Sequence, residues 1–150
     1  MKKIVYIFGM LILAVTLTGC TQKNIEGSLE DIMTRLYEGI PEEEMPMMVE
    51  NIPLGDENIE NFIFAEVDYK EALASESMIA SSAHSVVLIR LKDAKKAEEA
   101  VKTIDEKADP RKWTSAEAKH KYVLSKGDLV VLIMSNELAP KIKANFENLK

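Results

Sequence analysis

The one cysteine of this 150-residue chain, Cys20, ends the run Leu17-Thr18-Gly19-Cys20. Thr18 and Gly19 are small enough for the chain to lie extended in a peptidase groove. The cysteine stands where an ordinary secretory site would end in Ala-x-Ala. Upstream, Lys2 and Lys3 form a positive start, and residues 4–17 are almost wholly apolar. That run is too short for a hydrocarbon core, which needs about 20 residues, but suits the apolar core of a signal peptide. The spacing predicts a lipobox. Leu17, Thr18 and Gly19 would be read by the peptidase, residues 1–19 removed, and the Cys20 sulfur would carry a diacylglycerol. Two fatty chains of the palmitate class hold a protein stably at a bilayer, where a single chain holds it marginally. The expected location is the extracytoplasmic face of a cell membrane, anchored by lipid rather than by a spanning helix.

Other residues could do chemistry. Met45, Met47 and Met48 are thioethers, soft ligands that suit Cu(I); methionine also fills gaps under loops, and no cysteine or histidine lies nearby in sequence. Glu42, Glu43 and Glu44 precede them. Calcium needs six to eight oxygens arranged around a turn, and three consecutive glutamates diverge, so a solvated acidic loop is the expectation. His84 and His120 stand alone, outside any HxH or HExxH spacing. Ser75, Ser77, Ser81, Ser82 and Ser85 cluster but fit neither Gly-x-Ser-x-Gly nor Ser-x-x-Lys. Trp113 and Tyr122 could line a groove or seal a core edge. None of these makes a catalytic set, and no resident cofactor or metal is expected beyond the covalent diacylglycerol.

Charge narrows the partners. The chain has 19 basic and 25 acidic residues, net −6. Losing Lys2 and Lys3 with the leader leaves 17 against 25, net −8. Such a body is repelled by nucleic acid, which is not an expected partner. With Cys20 the sole cysteine, the mature chain can form no internal disulfide, and about 130 residues must hold together by packing alone.

The expected organisation is a leader over residues 1–19, a lipidated tether over 20–27 and one domain over 28–150. Ser28 caps a first helix with Leu29, Ile32, Met33 and Leu36 on one stripe, stopped by Gly39 and Pro41. Residues 42–56 read as a connector, 57–61 as a short helical turn and 62–67 as a strand; 70–73 could be helical. Residues 78–91 read as extended, ending in the apolar run 86–91. Asp93 caps a second helix with Ala97, Val101 and Ile104 inward. Lys121 to Leu124 and Leu129 to Met134 flank Gly127, whose freedom at positive φ suits a tight hairpin. A last helix carries Leu138, Ile142, Phe146 and Leu149. This order predicts an α+β fold, a mostly antiparallel sheet of about four strands with three helices. Strands 86–91 and 129–134 are apolar on both faces, so either helices cover both sides or one side meets a partner.

Several stretches carry a resemblance: the lipobox at 17–20; the first helix leading to Pro46-Met47-Met48; Ser85-Val86-Val87-Leu88-Ile89-Arg90-Leu91-Lys92-Asp93 running into 94–107; the Trp113 segment; and Lys126-Gly127-Asp128-Leu129-Val130-Val131-Leu132 followed by Ser135. In these the chain resembles a family of small lipoproteins of Gram-positive, clostridia-type bacteria that carry a domain of unknown function. The resemblance covers most of residues 28–136. It departs at His84 and Ser85, where family members often have an acid. It implies an exported α+β domain and supplies no activity. The functional expectation is a non-enzymatic interaction or accessory domain held at the membrane, meeting an envelope protein or a second copy of itself. The alternative is an envelope lipoprotein that binds a small ligand or a metal. A third reading, a hydrolase, would need His84 or His120 beside a serine and a carboxylate.

Overall fold

Helix α1 (Leu29–Leu36) starts where the sequence places it: the Asp31 N–H donates to the Ser28 hydroxyl at 3.1 Å, and Glu30 and Asp31 sit at the positive end of the helix dipole. This helix opens the described part of a computed structural model, which covers residues 23–150. The residues expected to form a lipobox, Leu17, Thr18, Gly19 and Cys20, lie outside the described residues. In chain order there follow β1 (Val49–Leu54), the short α2 (Glu60–Ile63), β2 (Tyr69–Ser77), β3 (His84–Leu91), α3 (Ala97–Lys107), β4 (His120–Lys126), β5 (Leu129–Ser135) and α4 (Ala139–Glu147). The five strands pair antiparallel in the order β1-β2-β3-β5-β4. The fold is α+β, with one strand and one helix more than the periodicity predicted.

Central β3 and β5 explain their own sequences. Val86, Leu88, Leu129, Val131 and Ile133 face α1 and α4, packing with Ile32, Met33, Leu36, Ile142 and Phe146. Val87, Ile89, Val130, Leu132 and Met134 face the other way, packing with Ile63, Ala97, Ala100 and Ile104 of α2 and α3. Each fully buried Leu or Ile contributes about 1.5–3 kcal/mol over leaving it exposed. Helices therefore cover both faces. The doubly apolar strands, which could have pointed to a partner, are used up by the fold's own layers.

Three expectations fail, each for a local reason. Residues 62–67 are not a strand. The Gly55 N–H donates to Asn58 Oδ1 at 2.9 Å and nucleates a turn that runs into α2; Phe64 then ends it at φ 60°. Six apolar-rich residues without clear alternation do not distinguish strand from helix. The strand lies instead inside the expected connector, as β1. Its Pro53 is tolerated because β1 is an edge, where a missing N–H breaks no interior ladder. The possible helix at 70–73 is part of β2, where Leu73 and Ala74 are buried on opposite faces. Residues 78–83 form a turn, so the extended run begins at His84 rather than Met78.

Candidate functional site

The sheet has two polar ends. At the first, β3 ends beside the β4–β5 hairpin, and Arg90 interrupts the apolar run 86–91. Only 8% of Arg90 is exposed. A guanidinium that far from water needs partners for its donors, and it has them. Nε donates to Glu71 Oε1 at 2.7 Å, Nη1 to the Ile25 carbonyl at 2.9 Å and to Asp128 Oδ1 at 3.2 Å, and Nη2 to the Gly27 carbonyl at 2.8 Å. Arg90 thus clamps the segment before α1 onto the hairpin. Ile25, 3% exposed, joins the α1/α4 core. Among the described residues Ile25 is the first buried one, and it lies within the stretch 20–27 expected to be tether.

Gly127 serves the same clamp. At φ 60° it holds the tight turn, and a Cβ there would stand 2.8 Å from Asn24 Cα and 2.9 Å from the Lys23 carbonyl. Both are backbone atoms that cannot swing aside. Gly127→Ala is expected to cost about 1–2 kcal/mol from the left-handed backbone alone and to loosen residues 23–27. Faster amide exchange there than in β5 would register it; unchanged exchange in the segment would show that the alanine is accommodated.

The second end carries two buried networks, one on each face. On the α1/α4 side His84 is wholly buried. Its Nδ1 lies 2.8 Å from Ser135 Oγ and its Nε2 2.8 Å from the Tyr37 hydroxyl. Tyr37 donates onward to Ser75 Oγ at 3.0 Å. One direction satisfies every atom: Ser135 donates to Nδ1, Nε2–H to Tyr37, Tyr37 to Ser75. Burial holds the imidazole neutral, lowering its pKa from 6.5 to about 4, and raises that of the Tyr37 phenol. On the α2/α3 side the Glu76 carboxylate accepts from Lys112 Nζ at 2.8 Å and from Trp113 Nε1 at 3.1 Å; Lys112 also reaches Ser85 Oγ at 3.3 Å. The ammonium sits 4.9 Å from the Phe62 ring centroid and 5.1 Å from that of Trp113, where cation–π attraction helps offset its desolvation. Burial lowers the Lys112 pKa and the Glu76 charge opposes that shift.

The predicted candidates separate accordingly. His84 does meet serines, but both its ring nitrogens are engaged in a sealed layer and its partners are hydroxyls. Ser75, Ser77 and Ser85 are buried strand residues, while Ser81 lies in the exposed turn. His120 stacks on Tyr122 at 5.9 Å on edge strand β4. Trp113 seals the α2/α3 core edge through Glu76. Glu42–Glu44 form an exposed 3₁₀ turn. Met45 is half-buried against the α1/α4 core, whereas Met47 and Met48 are exposed.

Arg90, Glu76 and Lys112 were missed as functional or structural polar residues. Arg90 was visible in principle: a charge inside the apolar run 86–91 demands buried partners. Nothing in the sequence reveals that two of those partners are the carbonyls of Ile25 and Gly27, more than 60 residues upstream. Compared with family models, with curated proteins and with solved structures, the chain matches none.

Proposed function

We propose that the chain is a lipid-anchored protein of the extracytoplasmic membrane face, whose domain is a non-enzymatic interaction or accessory module. The observation that carries the proposal is continuity between anchor and domain. Leu17-Thr18-Gly19-Cys20 is followed five residues later by Ile25, which is buried and held by Arg90. Five residues span at most about 17 Å. An acylated Cys20 would therefore keep the Arg90 end of the sheet against the bilayer and turn the His84 end away, about 25 Å further out for an eight-residue strand. A short leash ending in the clamped segment 23–27 suits a domain that presents a face in a fixed orientation. The resemblance to small clostridia-type lipoproteins is part of the same reading. The non-enzymatic half is supported by His84 and Ser85, whose polar atoms are engaged in buried networks.

The test begins with the mature protein taken from its own membranes. The N-terminal peptide is expected to start at Cys20 and carry a diacylglycerol, and palmitate label is expected to vanish in Cys20→Ala. An intact leader or a bare thiol would overturn the placement. Crosslinking in the same membranes is expected to give a discrete adduct with an envelope protein or a second copy. A monomer that forms no adduct would defeat the interaction reading while leaving the anchor intact.

A further inference from the structure

Among the described residues three large apolar side chains stand out in the solvent, and all three are methionines at one place. Met47 is 73% exposed, Met48 66% and Met78 51%. Thirty residues separate the first from the last in sequence, and the β1–β2 ladder closes that gap. Val49 lies opposite Ser77 at the end of that ladder, and Met48 and Met78 stand just beyond it. The Met78 N–H donates to the Met48 carbonyl at 2.9 Å, and the Ser77 hydroxyl donates to the Met47 carbonyl at 3.4 Å. Met48 holds φ 54°, a left-handed conformation uncommon outside glycine and asparagine. It turns the chain between Met47 and the start of β1 at Val49.

We propose that Met47, Met48 and Met78 form a binding site for a soft monovalent cation, Cu(I). A thioether is neutral and polarizable; it suits Cu(I), whereas hard cations select oxygen and zinc selects thiolate or imidazole. The Met48 and Met78 backbones are joined by a hydrogen bond of 2.9 Å and Met47 adjoins Met48; each side chain has three rotatable bonds, which gives the three sulfurs the reach to share one ion. Three neutral donors leave the ion's charge uncompensated. The exposed Glu42–Glu44 turn just upstream, on a domain of net negative charge, supplies an attractive potential. Met45, packed toward the core, is outside the set. The ion enters and leaves as Cu(I), so no electron transfer is involved. The site is independent of the lipid anchor.

The experiment uses the full chain in mild detergent with Cys20→Ser, which removes the competing thiol, and with methionine labelled at its methyl carbon. Silver nitrate in chloride-free buffer serves as the Ag(I) probe, followed by anaerobic Cu(I) against a chromogenic chelator. The methyl signals of Met47, Met48 and Met78 are expected to move together and saturate at one ion per chain, while buried Met33 and Met134 stay fixed. Met78→Leu is expected to weaken binding at least tenfold. Met47→Leu, Met48→Leu and Met78→Leu together should weaken it at least a hundredfold, with unchanged metal-free melting because leucines of similar size replace exposed side chains. Immobile methyls, shifts that never saturate, or a triple variant competing as well as the parent would each overturn the site and leave these methionines as a plain apolar surface.

Discussion

Replacing Arg90 with alanine is expected to destabilise the domain by about 3 kcal/mol and to release residues 23–27 from its surface. The size follows from what is left behind. Removing one partner of a buried charged network costs about 3–5 kcal/mol, because the other charge stays desolvated without compensation. Here Asp128, with 14% of its side chain exposed, is the stranded charge, and the carbonyls of Ile25 and Gly27 lose donors as well. Glu71, 44% exposed, can turn to water, which keeps the figure at the lower end. For a domain of this length about 3 kcal/mol lowers the melting temperature by roughly 12 °C. Arg90→Lys should recover only part of the loss. An ammonium keeps the charge but cannot match a planar fork that bonds two carboxylates and two carbonyls in fixed directions. Two measurements separate clamping from simple packing. Thermal denaturation gives the global loss. Hydrogen exchange well below the melting temperature asks whether the amides of residues 23–27 open while those of β3 and β5 stay protected. A lowered melting point with the segment still protected would show that Ile25 alone holds it, and that Arg90 does not fix the anchor.

How far such residues can be read from sequence depends on whether their partners are local. Helix α1 was legible because its cap and its stripe are contained in nine residues. The β4–β5 hairpin was legible because Gly127 and the flanking apolar runs lie within 16 residues, and the body of β3 because the run 86–91 is nearly all apolar and rich in β-branched residues. Edge strand β1 was not. Its pattern is half-exposed and contains a proline, and only its pairing with β2 makes it a strand. Residues 62–64 misled in the opposite direction: Phe62, Ile63 and Phe64 have strand propensity, but Ile63 is drawn into the α2/α3 core from a helical turn. The polar networks were beyond reach for the same reason. His84 finds Tyr37 47 residues away and Ser135 51 residues away; Glu76 finds Lys112 36 residues away. Each alone reads as an isolated polar residue. The proposed lipobox is the opposite case, a signal of four consecutive residues behind an apolar run that needs no distant partner to be read.

Acidification from pH 6.5 to 4 is expected to remove up to about 3 kcal/mol of stability, with His84 as the main cause. In the folded chain the imidazole is enclosed by Tyr37 from the end of α1, Ser75 from β2 and Ser135 from β5, and burial depresses its pKa to about 4. In the unfolded chain it titrates near 6.5. The unfolded state therefore binds a proton first as the pH falls, and protons pull the equilibrium toward unfolding. Above pH 6.5 neither state is protonated and the term is absent. Between 6.5 and about 4 the loss grows by about 1.4 kcal/mol per pH unit, and below about 4 it levels off because the folded form also takes up the proton. The carboxylates whose pKa values are lowered, Asp68, Asp109 and Glu137, act in the same direction but at lower pH. They sit in exposed pairs with Lys92, Arg111 and Lys119, whose hydrogen bonds are the main cause of their shifts. Salt screens those pairs, whereas the His84 contribution is a burial penalty that salt leaves nearly unchanged. Denaturant titrations at half-unit pH steps, at low and high ionic strength, are expected to show the slope persisting in both. In His84→Gln, which keeps a hydrogen-bonding side chain but cannot titrate, stability should be lower at pH 7 and the slope above pH 4.5 largely gone. A parent protein equally stable at pH 6.5 and 4.5, or a His84 ring that titrates near 6.5 in the native state, would show that the ring takes up its proton without opening the layer.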